Sequence, residues 1–344
     1  MADLALATVI LGLTAYAVLG GADFGAGFWD LTAGGAERGA RLRGLVKRSM
    51  GPVWEANHVW LIFVLVILWT CFPPAFAAIM ETLYVPLFLA SLGIILRGAA
   101  FALRGEAATI GEARVLGATF ALSSVLVPFF LGAAVGAVAA GEVPAGSPGD
   151  AIASWTGPTA VLAGFMAVAA GAFLAAVFLA ADAVRAGLPD LVAAFRARAL
   201  GAGVVAGALA LGGLAVVRSD APNLYDGLVS GPGLACVVGS GIAGLATLGL
   251  VWTGRFGPAR FASALAVVAI LVGLAAAMSP DILPGELTLD AAAAGDSTLR
   301  ATMISVAVGL CFLIPSLALL FRLTLSGQLD QEFHPIGSTE DGER

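Results

Sequence analysis

Long apolar runs recur from end to end of this chain, separated by short polar segments. They occupy Leu4–Trp29, Val53–Phe72, Leu83–Leu103, Val115–Ala140, Trp155–Ala181, Ala199–Val217, Leu234–Trp252, Phe261–Met278 and Ala301–Leu323. A membrane-spanning helix needs about 20 apolar residues, whereas a barrel strand needs about 10. In lipid only helices or closed barrels satisfy their own backbone. The pattern therefore predicts an all-α integral membrane protein with nine transmembrane helices; two four-helix bundles plus one extra helix are the expected arrangement, with no repeat visible in the periodicity. The first run lacks a basic start and is long enough to span, so it reads as the first helix and not as a secretory signal. Residues 1–328 form one polytopic domain in this reading, and residues 329–344 a polar cytoplasmic tail. The longest loop, roughly Ser279–Arg300, is acidic and too short for a separate domain.

Composition supports the same class. Only 12% of residues are charged, about half the share in soluble domains. Cys71, Cys236 and Cys311 all sit inside apolar runs, which argues against a disulfide framework or a C-x-x-C metal site. Phosphate-binding loops, dinucleotide fingerprints, nucleophile elbows and zinc motifs are absent from the sequence, and nothing in it suggests nucleic-acid binding.

Charge decides orientation. Arg38, Arg41, Arg43, Lys47 and Arg48 lie between the first two runs, and Arg104, Arg114, Arg185, Arg196, Arg198, Arg255, Arg260, Arg322 and Arg344 fall on the same side. The opposite side holds Arg218 and Arg300 among acidic loops. The positive-inside rule then puts the N-terminus outside and the C-terminus in the cytoplasm.

The candidate chemistry gathers near the cytoplasmic ends of the first three spans. The first span closes GGADFGAGFWDL, in which Gly21 and Gly25 form a G-x-x-x-G suited to close helix packing. Asp23 lies inside this glycine run, a carboxylate at membrane depth that is either functional or a paired structural group. Asp30, at the boundary, reads as solvated or interfacial. The second span opens GPVWEANHVWL, Gly51 to Leu61, with Pro52 as a helix start. It carries Trp54, Glu55, Asn57, His58 and Trp60; Glu55 and His58 are three apart and share a helix face. Asp23 and Glu55 sit at comparable depth and suggest a proton entry path. Helix-dipole stabilisation is the competing account for Glu55. His58 is a heme or metal ligand, a proton relay or a structural histidine. His334 is the chain's other histidine and lies in the polar tail, so a bis-histidine heme cannot be built in the membrane from this chain alone. Arg97 falls inside the third span, where it needs a buried partner or must snorkel to the surface. Three readings are compatible with these groups: a proton path, a proton-coupled secondary transporter, or a purely structural membrane subunit.

At these residues the sequence resembles subunit II of cytochrome bd-type quinol oxidases. The resemblance rests on G-A-D-F-G-A-G at Gly21–Gly27, G-P-V-W-E-A-N-H-V-W-L at Gly51–Leu61, and Arg97 with the closing F-A-L-R at Phe101–Arg104. It implies a heme-free subunit in a heterodimer with subunit I, which carries the b- and d-type hemes, oxidises membrane quinol and reduces dioxygen. Some members also hold a structural quinone, and small accessory subunits occur. The resemblance implies that Asp23 and Glu55 line a proton path from the cytoplasm, with Trp54 and Asn57 as neighbouring motif residues, in a bacterial cytoplasmic membrane. The isolated chain would have no oxidase activity. Glu55 stands where many members have Asp, His58 where they have Gln or Glu, and Ala102 where they have an acidic residue.

Overall fold

A computed structural model of the chain describes residues 1–50, 54–103 and 109–325. Gly51–Val53, Arg104 and the tail 329–344 lie outside the described residues, as does the side chain of Arg38. The chain opens with α1 (Ala2–Leu31), α2 (Ala36–Met50), α3 (Trp54–Cys71), α4 (Pro73–Thr82), α5 (Tyr84–Leu103) and α6 (Ile110–Ala139). It continues through α7 (Ala153–Thr156), α8 (Pro158–Arg185), α9 (Pro189–Asp220), α10 (Pro222–Leu228), α11 (Gly231–Trp252) and α12 (Phe256–Met278). A hairpin of β1 (Asp281–Leu283) and β2 (Leu287–Thr288), α13 (Leu289–Ala292) and α14 (Asp296–Leu325) complete it. Among the described residues nine helices are long and apolar enough to cross a bilayer: α1, α3, α5, α6, α8, α9, α11, α12 and α14. Each matches one apolar run of the sequence.

The differences lie where polar sequence continues a helix. α9 starts at Pro189, ten residues before the expected Ala199, with Pro in its first turn and Asp190 beside it. Both residue types favour a helix start. Leu191, Phe195 and Ala199 recur every fourth residue and are buried, so this polar-rich turn still has an apolar face to bury. At 1.5 Å per residue its 32 residues reach about 48 Å, more than the hydrocarbon layer needs. Hydropathy locates where a helix leaves the apolar layer, not where it ends.

The arginine-rich segment after α1 is likewise a helix. α2 buries Leu42, Leu45, Val46 and Met50 in a cluster with residues of α8 and α9, while Arg41 pairs with Asp190 of α9 at 2.6 Å. Arg43 fixes the turn between α1 and α2. Its Nε donates to Asp30 at 2.7 Å, and its Nη atoms donate to the carbonyls of Gly34 and Gly35. Asp30 is therefore buried and paired rather than solvated, because the chain folds back over the end of α1. At the opposite end of the bundle the acidic loop is ordered by the hairpin. Ile282 and Leu283 join a core with Cys71, Phe72 and Leu83, and Ala294 N–H donates to the carbonyl of Cys71.

α1 is the central helix and touches α3, α6, α8 and α12. Its approach to α8 is set by glycine. A Cβ on Gly25 would overlap the carbonyl oxygen of Gly171, and one on Gly171 would lie 2.8 Å from that of Gly21. The G-x-x-x-G thus forms one half of a direct backbone-to-backbone contact. Gly27 gives similar access to α6, since a Cβ there would collide with the Ser124 hydroxyl.

This packing predicts that G25A lowers the melting temperature of the purified protein in detergent, at a cost of about 1–3 kcal/mol for the forced separation of α1 and α8. A Cβ on Gly239 of α11 would meet nothing within 4 Å, so G239A serves as the neutral control. Equal melting of the two variants would contradict the contact.

Candidate functional site

Asp23, Asn57 and Arg97, three polar side chains that the first three spans bury, meet at one place between α1, α3, α5 and α6. Asp23 is 1% exposed. It lies eight residues before the end of α1, about 12 Å along the helix. Its Oδ2 accepts from Asn57 Nδ2 of α3 at 2.5 Å; the same amide approaches the carbonyl of Leu19 at 3.5 Å. A neutral amide donor serves a carboxyl in its ionised and its protonated form alike.

Arg97 of α5 completes the cluster. It is 2% exposed, which removes the snorkelling account. Its Nη2 donates to the backbone carbonyl of Asp23 at 3.0 Å, and its Nε to Ser124 Oγ of α6 at 3.0 Å. The Ser124 hydroxyl donates its own proton to the carbonyl of Phe120 at 2.7 Å. The guanidinium carbon lies 4.9 Å from the ring centroids of Phe24 and of Phe120. A planar, weakly hydrated cation against an aromatic face is worth up to about 2 kcal/mol when desolvated. Arg97 thus ties α5 to the main chain of α1 and to α6, while the Asp23 carboxylate is left to Asn57.

His58 follows Asn57 on α3 and is half-buried in an aromatic surround. Its Nδ1 faces the Tyr16 hydroxyl at 3.4 Å. Its ring meets Tyr16, Phe24 and Trp54 at centroid distances of 5.9, 5.7 and 6.2 Å. Trp54 also rests on Phe101 of α5 at 5.4 Å, and Trp60 is buried in the cluster with Tyr16, Phe24 and Val127. These contacts hold the imidazole by aromatic packing and one phenol.

Glu55 goes elsewhere. It is exposed in the first turn of α3, on the far side from Asn57, because residues two apart on a helix point about 200° apart. Asn57 and not Glu55 is the α3 residue that meets Asp23, although the two carboxylates lie within about a helical turn of one height. His58, three residues from Glu55, is turned inward. Gly21 and Gly25 lie on the α8 side of α1, in the packing described above.

Four participants escaped the sequence reading: Tyr16, Phe24, Ser124 and Phe120. Tyr16 is seven residues before Asp23, two turns along the same face of α1, and that spacing was available. Ser123 and Ser124 interrupt an apolar run and could have been paired with the intramembrane Arg97. Phe24 sits inside the G-A-D-F-G-A-G motif, but nothing in the sequence marks Phe120 among the chain's 19 phenylalanines.

Comparison with known proteins gives a consistent result. The family model described as cytochrome bd terminal oxidase subunit II matches residues 1–324. The cytochrome bd ubiquinol oxidase subunit 2 of Bacillus subtilis (strain 168) is 29% identical over 130 residues, 38% of this chain. That match spans 38% of the length of the curated relative. A chain of the solved bd oxidase from Geobacillus thermodenitrificans has a similar fold, with a TM-score of 0.78 and 24% identity over 94% of this chain and 98% of that one.

The geometry predicts that R97K destabilises the protein by about 1–3 kcal/mol, because an ammonium cannot reach carbonyl, hydroxyl and two ring faces from one planar group. Thermal unfolding in detergent reads this out. An unchanged melting temperature would mean that Arg97 does not anchor α5.

Proposed function

The chain belongs to the cytochrome bd terminal oxidase subunit II family, and from that premise we propose that it is the heme-free membrane subunit of a quinol:oxygen oxidoreductase, delivering cytoplasmic protons through Asp23. The observation that carries the reading is the Asp23 carboxylate, buried in a membrane protein with nine spans among its described residues and held there by a neutral amide, with no salt bridge among the described residues. A carboxyl in that setting can hold and release a proton without breaking an ion pair.

In this reading Glu55, exposed at the start of α3, collects protons at the cytoplasmic surface. Asp23 holds them inside the bundle, and His58 with Tyr16 forms a further hydrogen-bonding pair deeper along α1 and α3. Asn57 and Arg97 position the path: one orients the carboxyl, the other fixes the helices around it. Subunit I would carry the hemes, oxidise membrane quinol and reduce dioxygen to water. Protons consumed there would come from the cytoplasm while quinol protons leave outside, so turnover would charge the membrane without a pump. The N-terminus is outside in this arrangement, following the arginine distribution, and the membrane is that of a bacterial cell. A structural quinone and small accessory subunits belong to the same proposal.

The division into two groups of four helices with a ninth apart belongs to the same proposal, although α8 packs as closely on α1 and α6 as on its own group. α1, α3, α5 and α6 pack among themselves, α8, α9, α11 and α12 do the same, and α14 touches α3 and α1 from outside. Family membership puts this reading ahead of the proton-coupled transporter.

If Asp23 carries the protons, D23N in the purified oxidase complex slows quinol-driven oxygen consumption on the order of 100-fold, the usual scale for a lost proton-transfer group, with the heme spectrum retained. E55Q causes a smaller drop, since water can bypass a group at an open surface. Unchanged turnover in D23N with intact hemes would leave this carboxyl a packing role only.

A further inference from the structure

A second polar cluster lies away from Asp23, where α8 ends and α12 begins. Successive spans alternate in direction, so this is the end of the bundle that also carries α2 and the end of α1. A cavity of about 370 Å³ opens there, lined by Arg185, Arg255 and Arg260 together with Val184, Phe256 and Pro258. This volume lies within the range of small-ligand sites.

Its charges do not balance among the described residues. One carboxylate, Asp182, accepts from both Arg185 and Arg260. Arg260 also donates from Nη2 to the carbonyl of Phe178 at 2.9 Å, yet its Nε is buried and has no hydrogen-bond partner among the described residues. Arg255 is exposed and has no side-chain partner among the described residues. It stands at the start of α12, whose N-terminus has no side-chain cap, and the first N–H groups of a helix lack intrahelical acceptors. Three guanidiniums and a helix start thus line one space, with a single carboxylate, Asp182, paired to two of them. The other lining residues, Val184, Phe256 and Pro258 among them, carry no charge.

We propose that this cavity binds a phosphate-type anion, with the headgroup of an anionic membrane phospholipid as the occupant that its place at the helix ends favours. The arginines meet the phosphate oxygens as forked donors, and the acyl chains run along the exposed apolar surface beside Val184. Basic pockets between spans on the arginine-rich side are the usual setting for such headgroups.

Native mass spectrometry of the full chain, purified with whatever partner it retains, tests this with phosphatidylglycerol and phosphatidylcholine offered in equal amounts and inorganic phosphate as competitor. Phosphatidylglycerol should be retained in preference. R255Q should weaken it about fivefold and R185Q/R255Q about 30-fold, from the typical contribution of each basic residue near a membrane surface. R218Q, at the opposite end of the bundle, should leave it unchanged. Displacement by phosphate, lost in R185Q/R255Q, would keep the anion site and make the occupant a soluble anion. Equal retention of both lipids in every variant without any response to phosphate, or an equal loss in R255Q and R218Q, would overturn the proposal. Arg255 makes no described side-chain bond, so R255Q alone provides the reading if the double variant melts early.

Discussion

A guanidinium inside the hydrocarbon layer has to be solvated by the protein itself, and that constraint organises the first half of this molecule. Arg97 sits six residues before the end of α5, about 9 Å from the helix terminus. Its partners come from neighbouring helices: a carbonyl of α1, a hydroxyl of α6, and ring faces from both. Removing any of these would leave a charge short of compensation in lipid. The arrangement of α1, α5 and α6 follows from that requirement. So does the position of Asp23, because the residue whose carbonyl Arg97 holds is the one whose carboxylate Asn57 holds.

The second constraint is distance. Arg97 can reach α1 and Ser124 together only if α1 and α6 lie close, which is what Gly27 permits against Ser124. The same glycine-rich turn of α1 lets Gly25 meet Gly171 of α8 backbone to backbone, joining the first four spans to the next four. Small residues here therefore serve electrostatics as well as van der Waals packing. They bring polar groups within hydrogen-bond reach without cavities between the helices.

Much of this was legible in the chain. Nine spans could be counted because the apolar runs are long and the backbone in lipid admits few alternatives. Asp23, Asn57 and Arg97 stood out as polar groups at membrane depth, and they do converge. What the sequence could not show was direction around each helix axis. Glu55 and Asn57 are two residues apart and both polar, yet one faces outward and the other holds Asp23. The phase of α3 is set by its contacts with α1 and α5, including Trp54 on Phe101, and these are tertiary. The extended start of α9 and the docking of α2 were hidden for a different reason. Their polar residues mark the edge of the bilayer, and hydropathy reads that edge as the end of structure.

We propose that this chain works as the heme-free subunit of an oxidase. The most direct measurement is a reduced-minus-oxidised optical spectrum of the tagged chain, expressed with its native neighbours and purified in mild detergent. Heme absorbance should travel with a second large membrane subunit and be absent from this chain when the two are separated. A stable chain that purifies alone, with neither a partner nor heme, would contradict it.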